Sequence, residues 1–414
     1  MVRQITIGLL GILLVSLAHA EVRLVSPQGP YRSVREALAR AQAGDEIRIR
    51  PGFYAEGELE IRIPGLRLIG EGAPVLSGRS ERNVLLIRAD DVQVQGLILE
   101  GVGTGSLEDF AAIRVEGARR VLLLNNLIRD AYFGIYLARA EEVVVAQNRC
   151  YGPAHTESFS GNGIHAWNAR YLRIEDNEIT AHRDGIYLEF VTDSEIRGNR
   201  AYSNVRYGLH FMFSDRCRYE ANSFVRNGAG VAVMYSRRVE MRANTFAHNR
   251  GATGYGLLLK DISESRIEQN RFLQNTVGLY AEGSNRLLLR GNTWERNGWA
   301  VRLLANCTEN RFLDNRFVGN SFDLTTNGTR HVGNVFEGNY WSRYVGFDLD
   351  RDGYGDVPYR PVRLSAYVLE QAPGALLLLN SFFLQVLELV ERIFPVFTPE
   401  ILQDEKPRIR DGGK

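Results

Sequence analysis

From residue 134 to residue 303 the chain repeats one pattern: a small residue, then apolar and polar positions in alternation. The segments are Gly134-Ile135-Tyr136-Leu137, Gly163-Ile164-His165-Ala166, Gly185-Ile186-Tyr187-Leu188, Gly208-Leu209-His210-Phe211, Gly230-Val231-Ala232-Val233, Gly256-Leu257-Leu258-Leu259, Gly278-Leu279-Tyr280-Ala281 and Ala300-Val301-Arg302-Leu303. They begin 29, 22, 23, 22, 26, 22 and 22 residues apart. Alternation with a period of two marks short strands, and so short an interval, divided by Asn and Gly, leaves no room for a helix. Two asparagine columns keep the same phase. Asn126, Asn148, Asn177, Asn199, Asn222, Asn244, Asn270, Asn292 and Asn315 form one; Asn204, Asn227, Asn249, Asn275, Asn297 and Asn320 follow it by five residues. Both columns absorb the same insertions, so a single structural unit is being repeated. The pattern predicts stacked coils about 4.8 Å apart, with Ile, Leu and Val inward and each buried Asn bonded to its counterpart in the next coil. Parallel crossovers are right-handed. The expected fold class is therefore all-β: a right-handed parallel β-helix, a solenoid of about 22 residues per coil.

The ends break this rhythm. Tyr31 to Ala43 places Val34, Leu38 and Ala41 on one helical face, which predicts an N-terminal cap helix over the open end of the core. Beyond Pro373, Ser381, Gln385, Glu388 and Arg392 form a narrow polar stripe on an otherwise apolar segment that Pro395 and Pro399 stop. This predicts an amphipathic helical tail. Its charges argue against a lone membrane span, so Leu376, Leu379, Phe382, Phe383, Val386, Leu387, Val390 and Phe394 are expected to dock on a membrane protein or lie at the interface. Folding back over the last coil is the other use for this helix. At the start, Arg3, an apolar run from Ile5 to Leu17 and Ala18-His19-Ala20 read as a secretory signal peptide. The division expected is 1–20 signal peptide, 21–360 β-helix domain with its cap helix at 31–43, and 361–414 docking tail.

Composition narrows the partners. Among 414 residues, Lys and Arg number 50 against 49 Asp and Glu, a balance that excludes bulk electrostatic attraction to nucleic acid. Gly outnumbers Pro by 41 to 12, favouring tight turns over disordered linkers. Cys150, Cys217 and Cys307 are an odd count spread over several coils, so they are expected to be buried and unpaired.

Chemistry is sought on the outward positions. The second residue after each small one gives Tyr136, His165, Tyr187, His210, Ala232, Leu258 and Tyr280; the fourth gives Ala138, Trp167, Glu189, Met212, Met234, Lys260 and Glu282. Two methionines in an outward column are unusual for a solvated face. Imidazole and thioether together favour a soft ion such as Cu(I) over magnesium or calcium. His210, Met212 and Met234 are the leading copper ligands, His165 and Glu189 are further candidates, and His155 in the long insertion could lean over them. Two other uses of the patch stand beside this one: packing beneath the insertion Gly152 to Asn162, or stacking of Tyr136, Trp167 and Tyr187 on sugar rings. Glycoside hydrolysis needs two carboxylates about 5 to 9.5 Å apart, and only Glu189 is offered, so an enzyme is not expected. Separately, Asp348, Asp350, Asp352 and Asp356 follow the D-x-D-x-D-G-x-x-D spacing of calcium loops. Tyr359 stands where an EF-hand has its bidentate Glu, and a plain Asp/Gly-rich turn is the other reading.

The signal peptide, the repeats, Asn339-Tyr340-Trp341 running into Gly346-Phe347-Asp348-Leu349-Asp350-Arg351-Asp352-Gly353, then Asp356-Val357-Pro358-Tyr359 and the apolar tail together resemble the NosD family. That resemblance spans essentially the whole mature chain. It implies a periplasmic accessory protein, peripheral to the inner membrane, bound to the ABC permease NosY with its ATPase NosF. It further implies copper received from the lipoprotein chaperone NosL and help in assembling the copper centres of nitrous oxide reductase. No copper motif carries over residue by residue, so the ligands above rest on the face arithmetic alone. A periplasmic polysaccharide-binding or carbohydrate-active protein is the alternative function.

Overall fold

A computed structural model describes residues 20–105, 108–153, 156, 160–328, 332–366, 386, 389, 391 and 401–410. The signal peptide, His155 and the tail positions Leu376, Leu379, Phe382, Phe383, Leu387, Val390 and Phe394 lie outside these described residues.

Among the described residues three sheets of 14, 12 and 13 strands run along the chain, each strand bonded to those three before and after it in chain order through most of its length. This is the parallel solenoid that the repeat predicts. The second wall carries the outward columns; it stacks Phe133–Ala138, Ile164–Trp167, Asp184–Glu189, Tyr207–Met212, Ala229–Met234, Tyr255–Lys260 and Val277–Glu282 in parallel. On its inner side Ile135, Ile164, Ile186, Leu209, Val231 and Leu257 are fully buried. Within the core, Phe224, Phe246, Phe272, Trp294, Phe317 and Trp341 form a ring stack with centroids 4.0 to 5.7 Å apart. Offset aromatic stacking adds to the stabilisation that burial of these large rings already gives.

Both asparagine columns are hydrogen-bonded ladders. Asn199, for example, donates from its backbone N at 2.9 Å and from Nδ2 at 3.0 Å to Asn222 Oδ1. The second ladder starts one coil earlier than the sequence suggests, because the His182 backbone N donates to Asn204 Oδ1 at 3.1 Å. Buried amides that would each cost free energy if left unpaired are thereby satisfied along the stack. The first ladder ends on a carboxylate: Asn339 Nδ2 and Trp341 Nε1 donate to Asp404 Oδ2 at 2.9 and 3.0 Å. Asp404 is fully buried. The segment around it bridges onto the last coil through Phe336 with Asp404 and Tyr340 with Arg408.

The N-terminal helix is shorter than its pattern predicts, spanning Val34–Leu38 only. Ser33 caps it by accepting from the Glu36 N at 3.0 Å. Arg40 and Ala41 already donate to carbonyls three residues back, which tightens the last turn, and Asp45 then captures the Gln42 N at 2.8 Å. Val34 and Ala37 are its buried residues. Val386 and Leu389 are helical and exposed at 38% and 52%, whereas Glu391 is buried and accepts from the Leu364 N at 2.8 Å. No helix among the described residues is long and apolar enough to cross a membrane. The three cysteines are free and buried. Burial pushes Cys150 and Cys217 up to about 12 and Cys307 to about 11, so they are thiols, not thiolates, at neutral pH.

Candidate functional site

Register decides which outward side chains meet. Tyr136, His165, Tyr187, His210 and Ala232 are successive partners across coils, as are Ala138, Trp167, Glu189, Met212, Met234 and Lys260. Met212 and Met234 are therefore direct neighbours, both half-buried, and His210 stands two residues before Met212 on the same strand face.

Although they point outward, the histidines are covered. Tyr136, His165, Tyr187 and His210 stack like coins, with centroids 4.5, 4.8 and 4.6 Å apart. His165 is 7% and His210 5% exposed. Burial drives His165 down to about 3, so its imidazole is neutral and offers a nitrogen lone pair at neutral pH. Among the described residues neither ring nitrogen of His165 has a hydrogen-bond partner. The stack also separates the two imidazoles, since the Tyr187 ring lies between them. Among the described residues no group of three His, Cys, Asp or Glu ligand atoms converges on this wall. His165 thus lies two coils from His210, and Glu189 sits between Trp167 and Met212 in the outer column. His210 and Met212 share one strand, and Met234 pairs with Met212 on the next. The Tyr187 hydroxyl turns to the Met212 sulfur, at 3.6 Å.

Two features of this wall lie outside the outward columns. Asp184, fully buried before Gly185, places Oδ2 3.6 Å from His210 Nδ1. The corner residues that follow the outer column read Arg139, Asn168, Phe190, Phe213, Tyr235, Asp261 and Gly283. Aromatic residues occupy this corner only beside Glu189, Met212 and Met234. Phe190, Phe213 and Tyr235 take φ of 53°, 51° and 51°, a left-handed backbone that costs a bulky side chain about 1 kcal/mol or more each. They are 40 to 47% exposed and stack 5.1 Å apart, forming an apolar ridge at the edge of the methionine pair.

The same packing bears on sugar binding. Tyr136 is stacked by Phe133 and His165 and overlain by the Arg114 guanidinium at 4.7 Å, and Tyr187 is sandwiched between two imidazoles. These rings have no free face for a pyranose. Trp167 is half-buried beneath Arg139 at 5.7 Å.

In the acidic loop, ligand oxygens of Asp348, Asp350 and Asp352 lie within 4.8 Å of one another. Asp356 stands apart from that group and accepts from the Leu349 N at 2.7 Å. Gly353, at φ 91°, makes the turn and donates its N to Asp348 Oδ2 at 3.0 Å.

Comparison with known proteins adds to this geometry. The profile of a family described as "Periplasmic copper-binding protein (NosD)" matches residues 151–346. The chain is 30% identical over 402 residues to a "Probable ABC transporter binding protein NosD" of Stutzerimonas stutzeri, covering 92% of this chain and 91% of that one. A protein of the same name from Pseudomonas aeruginosa is 31% identical over 402 residues, covering 90% and 92%. Among solved structures, a PL6 alginate lyase in complex with a trisaccharide is 12% identical with a TM-score of 0.54, covering 78% of this chain and 85% of the lyase. The family 28 exopolygalacturonase of Yersinia enterocolitica is 9% identical with a TM-score of 0.50, covering 77% and 78%. At such identities these two likenesses show the solenoid alone.

Proposed function

The chain belongs to the NosD family, and from that membership we propose a periplasmic copper-binding subunit of an ABC-transporter complex, peripheral to the inner membrane. In this reading it takes Cu(I) from the chaperone NosL and passes it on during assembly of the copper centres of nitrous oxide reductase. Copper is cargo here, held transiently. The observation that carries the reading is the register of His210, Met212 and Met234, which puts one imidazole and two thioethers on adjacent strands of one wall. Soft donors in a half-buried setting suit Cu(I). The ridge of Phe190, Phe213 and Tyr235 supports docking of the copper-carrying partner directly over the methionines.

Anchoring is assigned to the tail. The exposure of Val386 and Leu389 supports an apolar helix face turned toward the permease NosY, with NosF acting on it from the other side of the membrane. The loop of Asp348, Asp350 and Asp352 is assigned to calcium as a local brace.

An anaerobic Cu(I) titration run beside a glycan array tests the central reading. A stable Cu(I) complex without glycan retention is expected; strong glycan retention without Cu(I) binding would favour the polysaccharide alternative.

A further inference from the structure

The geometry points to Asp184 as the residue that fixes the His210 imidazole with its proton on Nδ1, leaving Nε2 as the nitrogen that meets a metal ion. This positioning role rests on the copper reading of the second wall. Asp184 opens its strand in register with Tyr207, three residues before His210. The carboxylate therefore lies toward the start of the strand and Met212 toward its end. In other coils the residue before the small one is Phe133, Asn162, Tyr207, Ala229, Tyr255, Val277 or Trp299, so Asp184 is the one acid in this column.

Asp184 is held as an anion. Arg206 donates to both carboxylate oxygens, from Nε at 2.9 Å and from a terminal nitrogen. The Tyr207 backbone N adds a third donor at 3.2 Å. Facing that anion, Nδ1 of His210 is stabilised as an N–H and destabilised as a lone pair. Tyr187 stacks on one ring face at 4.6 Å and Tyr207 packs tilted against the ring at 4.9 Å, which restricts rotation of the imidazole. Among the described residues neither ring nitrogen of His210 has a partner within hydrogen-bond distance, and Nδ1 is the one that faces the Asp184 carboxylate, at 3.6 Å. A carboxylate behind a metal-binding imidazole orients the ring and raises its basicity.

Nitrogen NMR of the histidine rings in the metal-free, full-length protein tests this, with the His210 signals identified by their loss in His210→Gln. Wild type is expected to show a protonated Nδ1 and an unprotonated Nε2. Asp184→Asn should mix or invert that tautomer and weaken Cu(I) binding by about 10- to 100-fold. Finding the His210 proton on Nε2 in wild type would overturn the proposal, as would an unchanged tautomer in Asp184→Asn. Should Asp184→Asn not fold, the wild-type spectrum decides alone. If the tautomer is as stated but neither Asp184→Asn nor His210→Gln alters Cu(I) affinity, the positioning role stands and the copper reading falls.

Discussion

The Tyr187 hydroxyl reaches across one coil boundary to the Met212 sulfur, 3.6 Å away. This contact ties the stacked aromatic column of the wall to the methionine column beside it. A weak O–H to sulfur bond draws on one sulfur lone pair and leaves the other for a soft ion. Tyr187→Phe keeps the ring between the two imidazoles and removes only the donor. It should change stability by no more than about 1 kcal/mol in urea unfolding, and it should alter Cu(I) affinity less than Met212→Leu does.

Acid should destabilise the fold in a defined window. Burial holds His165 at about 3 and His182 at about 4, whereas both titrate near 6.5 when unfolded. Below 6.5 the unfolded chain takes up protons that the folded chain refuses. Stability is then complete above that pH and declines on acidification, by up to about 1.4 kcal/mol per pH unit for each histidine. Asp323, pushed up to about 6 by burial, opposes part of this loss between pH 6 and 3.8. Urea midpoints at pH 7 and pH 5 should show the decline. His182→Asn places the ladder residue where a histidine now donates to Asn204, and it should remove one proton's worth of the slope.

Asp404 ends the asparagine ladder, so Asp404→Ala leaves the Asn339 amide and the Trp341 indole N–H without their acceptor in the core. A loss of about 3 kcal/mol is expected, concentrated in the last coil. Hydrogen exchange should show faster amides around Phe336 and Tyr340, while amides of the methionine wall keep their protection.

For the acidic loop, adding calcium to chelator-treated protein should raise the unfolding temperature, and Asp350→Asn with Asp352→Asn should abolish the rise. Equal unfolding temperatures with and without calcium in the wild type would remove the ion from the account.

Much of this architecture was legible in the chain because a period near 22 fixes every column at once. His165, His210, Met212 and Met234 fall where alternation from the small residue places them. What alternation cannot show is that Tyr136 and Tyr187 cover the imidazoles, since stacking distance depends on ring orientation as well as register. Asp184 was hidden because it precedes the small residue and belongs to no outward column. The aromatic corner at Phe190, Phe213 and Tyr235 leaves one signal in sequence, an aromatic residue directly after Glu189, Met212 and Met234. Asp404 acts on Asn339 from 65 residues away, beyond any local pattern. The cap helix is shorter than its apolar face suggests because Asp45 captures the Gln42 amide before another turn can form.

The most direct test is an anaerobic competition titration of Cu(I) against a chromophoric chelator, comparing wild type with His210→Ala/Met212→Ala/Met234→Ala. The account predicts that the triple variant keeps its far-ultraviolet circular dichroism and loses high-affinity Cu(I) binding. Equal Cu(I) affinity in the two proteins would contradict it.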